Sequence, residues 1–423
     1  MPSLRDVIAG PWRAVLVLGL TQILAWGAIF YPPVLTVPLI AAERGWSMTF
    51  AMGGFSLTLL TAGLVSPRVG LLIDRYGGHR VMPVGALLAA LGLVGLVYAD
   101  HPVTYLAVWM LLGVATAASL YDPAFATLGR IFGAAARSPI TALTLAGGFA
   151  STVSWPATHL LLQAVGWRGT YLVYAALLAL LAAPLLAFAL PRTRADEPGS
   201  GRVSSARSRA SSDALRARTS ESADPAARPE GQVQVPSAVL PPKGWPFILV
   251  AAAFAAYAFV PSGLSAHLLA IFGRAGIDAA TVVTIGALFG PAQVAARVCE
   301  LVFARRIHPL AIARFAVGVL LAAFALLALL GFSVPAAAAF AVMFGMANGL
   351  ITIARGALPL ALFGAAGYGH LMGRIAGPYL VMQALAPLVL AFVAERTSDP
   401  AVLAVVAAFA LIAFIGFAAI RKP

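Results

Sequence analysis

The sequence predicts an all-α polytopic membrane protein: twelve transmembrane helices in two pseudo-symmetric six-helix bundles. Three observations carry this expectation. The 423-residue chain is 61% hydrophobic, with a mean hydropathy of +0.93, and only 10% of its residues are charged, against about 25% in an average soluble domain. Its apolar residues gather into runs of roughly 20, the length a helix needs to cross a hydrocarbon layer about 30 Å thick. One polar stretch, 191–243, divides these runs into two equal sets.

The first six spans are expected near 13–39, 48–69, 81–99, 103–128, 139–163 and 170–190. The second six are expected near 245–272, 281–303, 311–331, 334–358, 370–393 and 401–420. Residues 1–190 and 244–423 are therefore read as the two bundles. The stretch 191–243, rich in Ser, Arg, Pro, Ala and acidic residues, cannot bury enough apolar surface to offset chain entropy, and is expected to be a disordered cytoplasmic linker. The run after Arg13 is too long for a signal-peptide core and is expected to continue as a span.

Arginine distribution predicts orientation. Alternate turns hold Arg68, Arg75 and Arg80; Arg130 and Arg137; the linker; Arg305, Arg306 and Arg314; and Arg355 with Arg374. Both termini are assigned to the same, cytoplasmic, face. The composition suggests a GC-rich bacterial source and hence an inner membrane. Internal echoes support a parallel repeat: Phe132-Gly-Ala-Ala135 recurs as Phe363-Gly-Ala-Ala366, and the same offset superposes Trp26 on Tyr257. Such an arrangement places a binding site between the halves near mid-membrane.

Several function classes are disfavoured. The net charge of +13 sits in turns and one linker, not on a soluble basic face, so no nucleic-acid partner is expected. Cys299 is the single cysteine, so neither a disulfide nor a multi-thiolate metal site is expected. No phosphate-binding Gly-rich loop ends in Lys-Ser/Thr, and the spans hold few ionisable groups, so neither an ATP-driven pump nor an enzyme is expected. No cofactor is predicted. The expected partners are a small-molecule substrate, protons and the lipid bilayer, and the expected state is a monomer.

The run Gly70, Leu72, Asp74, Arg75, Gly77, Arg80 resembles the loop signature between the second and third helices of the major facilitator superfamily. Its glycines are read as turn formers, and Asp74 as a partner for arginines or a helix N-terminus. The resemblance implies a secondary transporter in which this cluster latches the two bundles in the outward-open state. Gly78 stands where a basic residue is usual, which implies a weaker latch. Trp109, and Trp155-Pro156, replace residues typical of drug-exporting members. Phe132, Arg137, the small-residue run to Gly148, and Gly166-Trp167-Arg168 are similar to the monocarboxylate and oxalate transporter branch. So is the pair Gln293 and Arg297 at i and i+4, although Gln293 replaces an acid.

A charge inside the hydrocarbon is a functional candidate because burying it costs several kcal/mol without a partner or a wet cavity. Arg297 is read either as the anchor for a substrate carboxylate, held through two parallel hydrogen bonds, or as a partner for Glu300 on the same helix. Asp122, before Pro123, is read either as a proton-coupling carboxyl or as one satisfied by hydroxyls, a helix cap or an arginine. Trp26, Tyr31, Tyr257, Asn348 and Gln383, with Gln22, are expected on path-lining helices. Uptake of an organic anion, such as a monocarboxylate, with a proton is the favoured function. Export of a toxic small molecule or metalloid, and a receptor or scaffold using the linker, are the alternatives.

Overall fold

The computed structural model describes residues 10–192, 244–304 and 306–421. From residue 193 on, the expected linker lies outside the described residues. Among these residues the chain is helical and makes twelve spans. α1 comprises Arg13–Ala25, a π-helical turn Trp26–Phe30 and Pro33–Arg44. α2 is Met48–Tyr76, α3 Gly78–Tyr98, and α4 Pro102–Ser119 followed by Tyr121–Phe132. α5 is Arg137–Gly148 continued through 150–165, and α6 is 167–189; Gly166, at φ 66°, turns the chain between them. The second half is α7 Trp245–Arg274, α8 Ala279–Phe303, α9 Pro309–Leu330, α10 Val334–Phe363, α11 Tyr368–Ala394 and α12 Asp399–Ala419.

Local chemistry sets the ends. Pro33, Pro102, Pro309 and Pro400 sit in first turns, where a missing N–H costs nothing. The Nδ1 atoms of His101 and His308 accept from Val103 and Leu310, capping α4 and α9 alike. The repeated Phe-Gly pair has one role in both halves: Gly133 (φ 55°) ends α4 and Gly364 (φ 81°) ends α10, conformations that favour glycine. Outward faces carry Leu180, Phe188, Phe303 and Leu329, between 78% and 83% exposed. In lipid such surfaces need no polar cover.

The motif departs from the expected charged turn. α2 runs on through Tyr76 and α3 begins at Gly78, so Asp74 and Arg75 lie in the last turn of α2 and Arg80 in the first of α3. Gly77, at φ 80°, is the turn. Gly70 is not a turn former. It lies within α2, buried against Gly369 of α11, where a Cβ would collide with the opposing carbonyl. Gly373 meets Ser66 in the same way, and Gly63 faces the Gly377 carbonyl, so α2 and α11 approach backbone to backbone. At Gly78 a side chain would strike Thr127, so a basic residue does not fit there.

The tenth span is longer than 334–358. Arg355 is therefore not a loop residue beside Arg374 but lies two turns inside α10, 6% exposed. Arg374 likewise sits within α11.

We expect Gly70→Ala to cost about 1–3 kcal/mol by forcing α2 from α11. Gly53→Ala, in open space on the same helix, should instead stabilise by roughly 0.5–1 kcal/mol. Thermal unfolding of the two purified variants checks the contrast.

Candidate functional site

The two halves are joined by polar contacts confined to one side. Among the described residues, every hydrogen bond and ion pair between halves lies between the level of Arg297 and the face bearing Gly77. At that face Asp74 accepts from the backbone N–H groups of Gly369 (2.9 Å) and His370 (2.7 Å). These are orphan donors at the N-terminus of α11, where the helix dipole also favours a carboxylate. Arg130 donates to the Asp74 carbonyl. Arg75 and Arg80 are exposed, Arg75 lying over the Tyr76 ring.

Arg137 makes the mirror contact. From the start of α5 it donates to the carbonyls of Ala304 (2.9 Å) and Ile307 (2.6 Å), at and beyond the end of α8. It also pairs at 2.9 Å with Glu300, 2% exposed, whose other oxygen accepts from Thr141. Glu300 is thus committed to Arg137, which replaces the Arg297–Glu300 alternative.

Deeper in the membrane, Asp122 of α4 pairs at 2.9 Å with Arg355 of α10, whose guanidinium also lies over the Tyr379 ring. Of the alternatives open for Asp122, an arginine partner is the one observed. The carboxylate follows a break in α4 at Leu120, one residue before the second helical segment. Pro123 has no N–H to give the Ser119 carbonyl, and Gln22 supplies it: its Nε2 donates to Ser119 O at 2.7 Å. Gln22 Oε1 then accepts from Trp26 Nε1 at 3.1 Å. Gln22 is fully buried, so it positions Trp26 instead of meeting solute.

Arg297 stands apart. It is 3% exposed, it donates to Thr144 O across the interface at 2.7 Å, and its Nε has no hydrogen-bond partner. Among the described residues no carboxylate pairs with it. The hydroxyls of Tyr121, Tyr31 and Tyr257 share its field, Tyr121 within side-chain hydrogen-bonding reach. Trp26 packs 5.1 Å from Tyr121 and 6.1 Å from Tyr31, and Tyr31 lies 6.2 Å from Trp155.

The remaining candidates divide. Tyr257 and Asn348 are brought together, the tyrosine donating at 3.2 Å. Gln293 packs its backbone and stem on Gly349 and keeps a half-buried side chain. Gln383 accepts from Ser262 through its backbone carbonyl. Sequence reasoning missed Arg355, Tyr121 and Thr144. The repeated Phe-Gly pair was the available signal for Arg355, because Phe363 marks the end of α10 and places Arg355 well inside it.

The Major Facilitator Superfamily profile matches residues 16–353. Human monocarboxylate transporter 11 is 35% identical over 126 residues, 29% of this chain and 26% of that protein. Rat monocarboxylate transporter 3 is 31% identical over 177 residues, 40% of this chain and 35% of that protein. The chain thus spans about a third or less of the curated relatives it matches. The human organic anion transporter MFSD10 (TETRAN) superposes with a TM-score of 0.69 at 17% identity, covering 99% of this chain and 100% of that one. The proton:xylose symporter XylE, bound to 6-bromo-6-deoxy-D-glucose, does so with 0.68 at 12% identity, covering 96% and 95%. At these identities the likeness carries the fold.

Removing one member of a buried pair strands the other, at a cost of about 3–5 kcal/mol. Arg355→Gln is therefore expected to lower the Tm of the purified protein sharply. Adding Asp122→Asn to that variant should recover most of the loss, read in the same unfolding assay.

Proposed function

The chain belongs to the Major Facilitator Superfamily, and from that premise we propose that it carries a small organic anion, a monocarboxylate, together with a proton by alternating access. The observation that carries this reading is Arg297, a guanidinium buried within α8 that no carboxylate among the described residues pairs with. A planar fork of donors among tyrosine hydroxyls suits a carboxylate, which would accept two parallel hydrogen bonds and cancel the charge. The monocarboxylate transporters among its partial relatives support the same class.

The Arg-rich face is the cytoplasmic one on this proposal, following the positive-inside tendency. Closure there by Asp74, Arg137 and the Asp122–Arg355 pair then corresponds to an outward-facing state. Inward opening requires all three contacts to separate. A proton on Asp122 removes the charge that holds Arg355, so protonation favours release of that contact between the halves. Solute binding at Arg297 and proton binding at Asp122 would meet at the interface that must open.

Arg297→Lys, which keeps the charge and loses the fork, is expected to abolish uptake into proteoliposomes while membrane insertion is unchanged. Normal uptake by that variant would refute the anchor role. Asp122→Asn is expected to flatten the pH dependence of uptake, and a pH profile identical to that of the parent would exclude Asp122 as the coupling group.

A further inference from the structure

Resting on the carboxylate reading of Arg297, we propose that the substrate is an aryl-substituted monocarboxylate whose ring lies on an aromatic wall formed by Trp26, Tyr31 and Trp155. Three observations lead there.

The first is the register of α5. Gly148, Ser151 and Trp155 are spaced i, i+3, i+7 and so share one helix face. Gly148 backs onto the Arg297 guanidinium. Ser151 lies beside the Tyr31 hydroxyl. Trp155 follows with its ring 6.2 Å from that of Tyr31. From Gly148 to Trp155 the helix rises about 10 Å, which suits a carboxylate at Arg297 with a ring extending along α5 away from the closed face.

The second is uncovered aromatic surface. Tyr105, Trp109 and Tyr171 in the same half are at most 1% exposed, packed as core. Trp155 is 38% exposed, and Trp26 and Tyr31 are only half-buried, although all three contact one another in a chain of rings. Flat rings left open beside a lone cation form a complementary surface for an aromatic body, and such ring pairs add affinity beyond the area they bury.

The third is charge balance. Of the two fully buried arginines among the described residues, Arg355 is matched by Asp122, and with Glu300 committed to Arg137 the other, Arg297, is left for the substrate. A second carboxylate would lie among the rings without a counter-ion, so a dicarboxylate is disfavoured.

The test is calorimetric titration of the purified full-length protein with 3-phenylpropionate, propionate, succinate and the neutral 3-phenylpropanol. 3-Phenylpropionate is expected to bind at least about tenfold more tightly than propionate, the size of step that one aromatic contact supplies. Succinate should bind more weakly than 3-phenylpropionate. Trp155→Leu should reduce the phenylpropionate-to-propionate affinity ratio about fivefold or more, and Trp155→Phe should retain most of it. Equal binding of propionate, tighter binding of succinate, or an unchanged ratio in Trp155→Leu would overturn the aromatic assignment while leaving the carboxylate reading intact. Binding of 3-phenylpropanol as tight as that of the acid, or no binding of any of the four, would overturn the carboxylate reading and this inference with it.

Discussion

A guanidinium or carboxylate placed in hydrocarbon must find an opposite charge, a set of dipoles or water, and this constraint organises the centre of the protein. Asp74 is met by the N-terminus of α11, Arg137 by Glu300 and the C-terminus of α8, and Asp122 by Arg355. In each case the charge comes from one half and its compensation from the other. Such contacts contribute little net stability, because desolvation offsets most of the attraction. Ion pairs whose members can instead meet water when the halves separate are therefore suited to an interface that forms and dissolves.

The contacts of Asp74 and Arg137 between the halves are complementary in sign as well as place. Asp74 sits at the positive end of α11, and Arg137 at the negative end of α8, so each helix end is matched by a charge from the opposite half. The glycines between α2 and α11 allow this. With Gly70 on Gly369 and Gly373 on Ser66, the backbones come close enough for Asp74 to reach two amides at once. A methyl group at either position would hold the helices apart and leave the carboxylate short of its donors.

The sequence revealed the number of spans, the repeated Phe-Gly pair and the motif, because hydropathy and short repeats are local; the capping role of the pair came only with the structure. It did not reveal Arg355. An arginine eight residues before the end of a span reads as a loop arginine when the end is placed too early, and only Asp122, 233 positions away, explains its burial. Glu300 is the same case: its nearest arginine along the helix is Arg297, yet its partner is Arg137 of the other half. Gln22 was visible as a polar residue in a span, but its task depends on Pro123 leaving a carbonyl without a donor one helix away. Pairings between helices are set by packing, which composition and periodicity do not encode.

The charge left over is the one that gives the site its character. Were Arg297 paired with Glu300, the arginine left without an acid would be Arg137 at the start of α5, and not the buried one that shares its field with Tyr121 and Tyr31. Committing Glu300 to Arg137 does two things together: it fastens α5 to α8, and it frees Arg297 one turn along α8. With Arg297 as the proposed anion anchor, closing that face and preparing the anchor are linked through a single carboxylate. On the proposed reading, separation of α5 from α8 returns Glu300 to the neighbourhood of Arg297, where it competes with a bound carboxylate and favours its release. Binding in one state and release in the other then follow from which arginine Glu300 faces.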